Sequence, residues 1–263
     1  MTPVFHANNL TFQYNSVVAL SRLSLTIGEG KRVALLGANG SGKSTLLRLL
    51  DGLYFADSGS LSFCGTNLDP AIFEDDEFAF QFRRRVGLVF QNPDVQLFSP
   101  TVFDELAFGP LQLQWPKKEI LERVDAVLDQ MEISHLRDRP PHRLSGGEKK
   151  RVAIGSVLVL DPDVLLLDEP TAALDPRSQS QIIDLLIGWG DGKKTVITAT
   201  HDLGLVEDIA DHCFLLQAGT LVAEGRPAEL LQDEDLLRRT NLIHAHRHRH
   251  EGNGVHSHPH RHR

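Results

Sequence analysis

A glycine-rich segment at residues 37–45 has the composition and spacing of a phosphate-binding loop. Its sequence, GANGSGKST, fits the pattern G-x-x-x-x-G-K-[ST], in which glycines allow backbone N–H groups to turn toward phosphate oxygens. In this pattern the lysine, here Lys43, reaches the β- and γ-phosphates, and the hydroxyl of Ser44 binds Mg²⁺. The segment follows an apolar run and precedes leucines at helical spacing, so its context also predicts a nucleoside-triphosphate site. The predicted contacts are Gly37, Asn39, Gly40, Ser41, Gly42, Lys43, Ser44 and Thr45.

Two adjacent carboxylates, Asp168 and Glu169, can complete this site. They directly follow the apolar run at 164–167. Asp168 is predicted to hold Mg²⁺ through water, and Glu169 to orient and deprotonate the water that attacks the γ-phosphate. Such a pair at the end of a strand is often only a solvated loop. In a chain with a phosphate-binding loop, the catalytic interpretation is favoured.

The segment LSGGE at 144–148 supports two interpretations. Ser-x-x-Glu before an apolar-periodic helix is a capping box. Capping does not explain the two glycines or the basic residues 149–151, because positive charge in the first turn opposes the helix dipole. Bare amides, a hydroxyl and basic side chains at a helix N-terminus suit a phosphate. Because the loop at 37–45 already holds a triphosphate, we expect this group to serve a nucleotide bound by another copy.

Four short, continuously apolar runs must position these groups, and they predict strands buried on both faces of a parallel sheet. They are residues 33–36, 86–90, 164–167 and 196–199. The phosphate-binding loop, Gln91, Asp168 and His201 follow the four runs. Ligands of open α/β sheets bind beyond the carboxyl ends of the strands, so we expect these groups to meet in one crevice.

The remaining patterns define the domain organisation. Alternating apolar residues at 10–14 and 23–27 predict antiparallel strands, and the region at about 92–155 has helical spacing without strand signals. The predicted fold is α/β, a P-loop NTPase with a mainly parallel sheet core, an N-terminal antiparallel β layer and a helical subdomain. This ATP-binding domain is expected to span 1–240.

A histidine-rich tail follows at 241–263 and is predicted to be disordered, because it has almost no apolar residue to bury. Neutral imidazole suits Ni²⁺ and Co²⁺, and a flexible chain gathers ligands readily. A solvated tail with incidental metal affinity is the alternative. The candidate ligands are His244, His246, His248, His250, His256, His258, His260 and His262.

Composition limits the class of protein. The net charge of −8 is opposite to that of most nucleic-acid-binding proteins, so no nucleic-acid partner is expected. The chain shows no signal-peptide pattern and no apolar run long enough to cross a bilayer. Its two cysteines lack CxxC spacing, which favours a reducing cytosol.

The order GANGSGKST, VFQNPD, LSGGE, VLLLDEP, ALDP and a histidine after TAT resembles the ATP-binding subunits of ABC transporters. The resemblance implies that the bound nucleotide is ATP with Mg²⁺ and that Tyr14 stacks on adenine. It further implies that Gln91 senses Mg²⁺ and the membrane partner, and that Ser145 and Gly147 touch the γ-phosphate across a dimer.

The same resemblance implies that Asp175 crosses the dimer interface and that His201 holds the γ-phosphate while Glu169 is the base. Lys43 joins these catalytic residues. Two positions depart from the family pattern, since Glu148 stands where Gln is frequent and Ala173 where Gly is common.

Residues 91–102 and 107–110 resemble the energy-coupling-factor branch of these ATPases, which takes up vitamins, cobalt and nickel. This resemblance implies membrane coupling and substrate-binding subunits, a second ATP-binding subunit and a peripheral position at the cytoplasmic face of the cell membrane. Together with the tail it predicts import of nickel or cobalt. A homodimer is expected, and pairing with a different ATPase stays open.

Three alternatives remain. The substrate could be another one, such as a vitamin. A soluble, non-transport ABC ATPase is disfavoured by the acidic charge and by the lack of a second nucleotide cassette. A metal buffer would place the main function in the tail.

Overall fold

The computed structural model describes residues 3–189, 192–249 and 255–260. In chain order the strands are β1 (Pro3–Tyr14), β2 (Val17–Gly28), β3 (Arg32–Leu36), β4 (Ser58–Phe63), β5 (Thr66–Asn67), β6 (Val86–Val89), β7 (Val164–Asp168), β8 (Thr195–Thr200), β9 (His212–Gln217), β10 (Thr220–Gly225), β11 (His244–Arg249) and β12 (Val255–His260). The helices are α1 (Lys43–Leu50), α2 (Asp76–Arg85), α3 (Val102–Gln112), α4 (Lys117–Gln130), α5 (Gly146–Leu158), α6 (Pro176–Trp189), α7 (Leu203–Ile209), α8 (Pro227–Gln232) and α9 (Glu234–Arg239). Short 3₁₀ turns occur at Ile72–Glu74, Pro93–Val95, Ser134–Leu136 and Pro141–Arg143.

The central sheet has the strand order β10-β9-β3-β8-β7-β6. Only β9 and β10 pair antiparallel, so the predicted mainly parallel core is confirmed. The four apolar runs form its adjacent strands β3, β8, β7 and β6. In β7, Leu166 packs toward the N-terminal layer, whereas Leu165 and Leu167 pack toward the helical subdomain. Each buried leucine contributes about 1.5–3 kcal/mol, which explains why these runs are apolar on both faces.

The N-terminal layer is antiparallel, as predicted, but it has more strands than the alternating pattern indicated. Its order is β2-β1-β4-β5. The sequence of β4, SGSLSF, gives little apolar signal, and β4 buries only Leu61 and Phe63. It is held largely by backbone pairing with β1, a contact between distant segments that local patterns do not reveal.

The region at 92–155 contains α3, α4 and most of α5, which share a core that includes Leu106, Val124 and Ile154. α4 begins directly after Pro116. α5 extends to Leu158, where its buried side chains continue this core toward the central sheet. This arrangement holds the LSGGE segment on a helix anchored at its far end.

Two observations concern the C-terminal boundary and the tail. Leu242 and Ile243 are buried and belong to the core, beyond residue 240. In the tail the structure pairs β11 with β12, whereas the composition predicts disorder. Alternation of histidine with other residues has the period of a strand, and paired backbones satisfy each other without a core. His250 and His262 lie outside the described residues.

Within the described part of the chain, no helix is long and apolar enough to cross a membrane.

Candidate functional site

The glycine-rich loop joins β3 to the N-terminus of α1, at the carboxyl end of the central strand. Two of its glycines are required by close packing and by positive φ. A Cβ at Gly37 (φ 151°) would lie 2.4 Å from the Leu216 carbonyl oxygen, and one at Gly42 (φ 105°) would lie 2.8 Å from that of Ala19. The loop therefore packs tightly against β9 and β2, with its backbone directed into a cleft.

Lys43 is the buried cation of this cleft. Its Nζ donates to the carbonyl oxygens of Gly37 at 2.7 Å and Ala38 at 3.3 Å, and lies 3.7 Å from Glu169 Oε1. Burial lowers the pKa of Lys43, although Glu169 and Asp168 favour its charged form. The lysine is therefore held where phosphate oxygens can replace its carbonyl acceptors.

Ser44 and Asp168 form a pair of oxygen donors at the start of α1 and the end of β7. The Ser44 hydroxyl donates to Asp168 Oδ1 at 2.9 Å. Burial raises the pKa of Asp168, and the Ser44 hydrogen bond opposes this change. A hydroxyl and a carboxylate are hard oxygen ligands, so the pair fits Mg²⁺. The buried Ser41 Oγ has no hydrogen-bond partner among the described residues and is available to a phosphate.

Glu169 is held by His201, which directly follows the adjacent strand β8. Its Oε1 lies 2.8 Å from Nδ1 of His201, its side chain is 6% exposed, and its backbone N–H donates to Ala199. Glu169 has φ 45°, a left-handed conformation that is strained for a non-glycine residue. His201 therefore contacts the predicted base directly, a role that the resemblance did not assign to it.

The cleft has a volume of about 450 Å³ and is lined by Tyr14, Gln91 and Glu169 together with the loop. Tyr14 places its hydroxyl 3.3 Å from Thr45 Oγ1 and packs edge-on against Phe12. Three further lining residues, Val17, Val18 and Ala19, were missed by sequence reasoning, although Val17 and Val18 are exposed apolar residues. The available signal was their position at the start of β2, directly after the turn that follows Tyr14.

Ser145, Gly147 and Asp175 are not part of this cleft lining. Ser145 caps α5, accepting from the Glu148 N–H at 3.4 Å while Glu148 Oε2 accepts from the Ser145 N–H at 2.7 Å. Asp175 caps α6 and accepts from Ser178 Oγ at 2.6 Å, and these hydrogen bonds lower the pKa of Asp175. A Cβ on Gly147 would lie 2.7 Å from the same Ser178 Oγ. The segments of Ser145 and Asp175 therefore adjoin each other, apart from the cleft lining.

The two departures from the family pattern have local explanations. Glu148 completes the capping box, and hydrogen bonds from Ser145 lower the pKa of its carboxyl. Ala173 has φ 59°, the region that favours glycine. Both residues therefore affect backbone geometry rather than the reacting groups.

Two of the basic residues after LSGGE, which were expected to suit a phosphate, instead bind groups of their own chain. Lys149 Nζ binds Asp94 at 2.7 Å, and Lys150 Nζ donates to the Gln91 carbonyl oxygen at 2.7 Å. Both lysines thus contact the loop after β6 of the same chain. Lys150 is 2% exposed, and burial lowers its pKa to about 8. The sequence indicated an unfavourable positive charge at the start of this helix, but it did not reveal which groups accept hydrogen bonds from the two lysines.

Comparisons with known proteins agree with this architecture. A family model described as ABC transporter matches residues 20–172. A relative from Rhodobacter capsulatus, named nickel import ATP-binding protein NikO, is 58% identical and covers 92% of this chain and 97% of its own. The solved structure of cbiO1 from Clostridium perfringens, part of the ABC transporter complex cbiONQ, has a TM-score of 0.77 and 38% identity, covering 92% of this chain and 96% of its own.

A second solved structure shows a related cassette in a dimer. It is an ATP-binding cassette in a post-hydrolysis state bound to ADP and phosphate, with a TM-score of 0.76 and 27% identity, covering 85% of this chain and 98% of its own. The cleft, the adjoining segments of Ser145 and Asp175, and these relatives lead to one assignment. The chain belongs to the ABC transporter family, as an ATP-binding subunit that couples ATP hydrolysis to transport.

Proposed function

We propose that this chain powers the import of Ni²⁺ or Co²⁺ through membrane subunits, from a peripheral position at the cytoplasmic face of the membrane. The observation that carries this proposal is the 58% identity to the nickel import ATP-binding protein over almost its whole length. The similarity to the cassette of the cbiONQ complex also supports it. Import of another substrate, such as a vitamin, is the alternative.

In the proposed site Ser44 and Asp168 hold Mg²⁺, with Gln91 at the edge of the same cleft. Mg²⁺ supplies positive charge that neutralises the phosphates of ATP. Lys43 releases the Gly37 carbonyl and donates to β- and γ-phosphate oxygens, which keeps its buried charge paired. Tyr14, which lines the same cleft, stacks on adenine.

Glu169 is the proposed general base. It accepts a proton from the water that attacks the γ-phosphate, and the low exposure of its side chain keeps competing water away. His201 orients the carboxylate through the 2.8 Å contact to Oε1, and we expect its half-exposed ring to hold the γ-phosphate when ATP is bound. The left-handed backbone conformation of Glu169 sets the direction in which its side chain leaves the main chain.

Each chain supplies only part of two active sites in this proposal. Ser145, Gly147 and Asp175 lie outside their own chain's cleft and would complete the cleft of a second copy. The dimeric arrangement of the solved cassette that is 27% identical supports this pairing. An isolated chain would therefore bind ATP and hydrolyse it slowly.

An apolar patch on the helical subdomain is the proposed docking site for a helix of the membrane coupling subunit. It comprises Val95, Phe98, Phe108 and Leu111, which are 41–70% exposed. Phe98 and Phe108 pack edge to face at 4.9 Å. The buried Glu105 accepts from the N–H groups of Phe98 and Ser99, which fixes the loop that carries Phe98. Replacing Phe98 and Phe108 by serine should abolish co-purification with the membrane subunit, whereas Leu121→Ser on α4 should not.

Uptake measurements test the function directly. Cells that express this chain with its membrane subunits should accumulate radioactive Ni²⁺ or Co²⁺, and Glu169→Gln should reduce uptake to the level of cells without the chain. Equal uptake by the variant would overturn the proposal. Uptake of a vitamin without either metal would replace it by the alternative.

The histidine tail is proposed to bind the transported cation. Its backbone register pairs His244 with His260, His246 with His258, and His248 with His256. Opposite residues of an antiparallel pair, and residues two apart, share a face, so these six positions lie on one face of the hairpin. A hairpin without an apolar face is marginal by itself, and a cation bound from both strands would stabilise it. No group of three or more candidate ligands occurs elsewhere among the described side chains.

A variant with unchanged composition separates this register from mere histidine content. Ala245→His, His246→Ala, Arg247→His and His248→Arg together move two histidines to the opposite face. We expect Ni²⁺ affinity, measured by calorimetric titration, to fall about tenfold relative to the native tail. Equal affinity would mean that histidine content alone, rather than the register, determines metal binding. In a separate test residues 244–263 are removed, and loss of uptake at saturating metal would show that the tail is essential rather than accessory.

A further inference from the structure

The N-terminal part of α5 is bonded to the loop after β6 by three side chains. Lys149 pairs with Asp94, and Lys150 donates to the carbonyl oxygens of Gln91 at 2.7 Å and Phe90 at 3.2 Å. Gln96 returns from the loop, donating to the Ala153 carbonyl at 2.8 Å. The helix that begins with the LSGGE segment and the loop that begins with Gln91 are therefore joined along one side.

Lys150 differs from the other two links because it is buried. It is 2% exposed, whereas the Lys149 and Asp94 side chains are 18% and 62% exposed. A buried ammonium is costly, and a positive charge near the N-terminus of a helix is unfavourable as well. Its two carbonyl acceptors, together with the nearby carboxylates of Asp168 and Glu169, compensate for this placement.

The acceptors lie where the chain leaves the central sheet. Gln91 follows β6 by two residues and lines the ATP cleft. Lys150 holds the backbone from which that side chain extends. Without this donor the Gln91 carbonyl loses its bond, and a displacement of about 1 Å in a catalytic group can reduce turnover about a hundredfold.

We propose that Lys150 is a positioning residue that holds Gln91 at the edge of the ATP cleft and makes Gln91 and the LSGGE helix move as one body. Because it takes Gln91 as part of the ATP site, this inference rests on the proposed function. It adds a direct link between the chain's own cleft and the face offered to a second copy. Lys150 acts through Gln91 and does not contact ATP.

Lys150→Met keeps the length of the side chain but removes its donors, and Lys150→Arg keeps donors and charge. The full-length protein should show a kcat lowered at least tenfold in Lys150→Met, with ATP affinity within threefold of the native value. Lys150→Arg should restore kcat to within threefold. Asp94→Asn breaks the neighbouring exposed link and should leave kcat within twofold, since surface ion pairs contribute little.

A native kcat in a folded Lys150→Met protein would overturn the proposal, as would a loss of kcat and ATP affinity in parallel that arginine does not rescue. If the methionine variant does not fold, Lys150→Gln replaces it, because glutamine keeps a donor but is too short for both carbonyls. Its kcat should then lie well below that of the arginine variant, and equal values would contradict the inference. Native-like turnover in Glu169→Gln would instead remove the assignment of the ATP site, and absent metal uptake with this kcat pattern would remove only the metal substrate.

Discussion

The ATP cleft and the face formed by the LSGGE segment with Asp175 are built in opposite ways. In the cleft, Lys43, Glu169 and Asp168 are buried and their charges depend on one another. On the other face, Ser145 and Asp175 are exposed and satisfied by capping their own helices. A buried, charge-coupled group is prepared for chemistry, whereas a self-capped exposed face can meet a partner at little cost. The difference supports the proposal that each chain supplies one half-site of each kind.

The largest effect should come from the cleft. Glu169→Gln keeps the size of the side chain and the contact to His201, so ATP should still bind while turnover falls about 10²–10⁴-fold through loss of the base. Closed dimers should accumulate with ATP in size-exclusion chromatography. Glu207→Gln, an exposed change on α7, is the matched control. Turnover within tenfold of native would exclude Glu169 as the base.

An intermediate effect should come from the opposite face. Gly147→Ala places a Cβ 2.7 Å from Ser178 Oγ, so either the Ser178 hydroxyl or the start of α5, which would meet the partner's ATP, must shift. We expect turnover to fall about 10–100-fold, with ATP affinity of the separate chain unchanged. Adding Ser178→Ala should restore part of the turnover. Loss of ATP binding by the single chain would show that Gly147 serves its own cleft.

The smallest effect should come from the departure at Ala173. A φ of 59° destabilises the folded state by about 1 kcal/mol when the residue is alanine. Glycine removes this strain, but its greater conformational freedom in the unfolded chain offsets part of the stabilisation. Ala173→Gly should therefore raise the free energy of unfolding by about 0.5 kcal/mol. A rise in Tm of about 1–2 °C in thermal unfolding would follow, and a lower Tm would contradict it.

Much of the fold was accessible from local patterns. The apolar runs at 33–36 and 164–167 are buried strands because a parallel sheet covered on both faces requires continuous apolar sequence. β4 was not predicted, because its stability comes from pairing with β1 rather than from its own side chains. The helix α6 was missed as well, and it buries only Ile182 and Leu186.

The sequence by itself determined the loop at 37–45, since glycine spacing, Lys43 and Ser44 act within one short segment. It also placed Asp168 and Glu169 at a strand end, because their position follows from the apolar run before them. Only the tertiary structure decided that His201 contacts Glu169, that Gly147 abuts Ser178 and that Lys150 holds Gln91. These pairs are 31 to 59 residues apart, and the packing of separate elements, rather than local spacing, brings their atoms together.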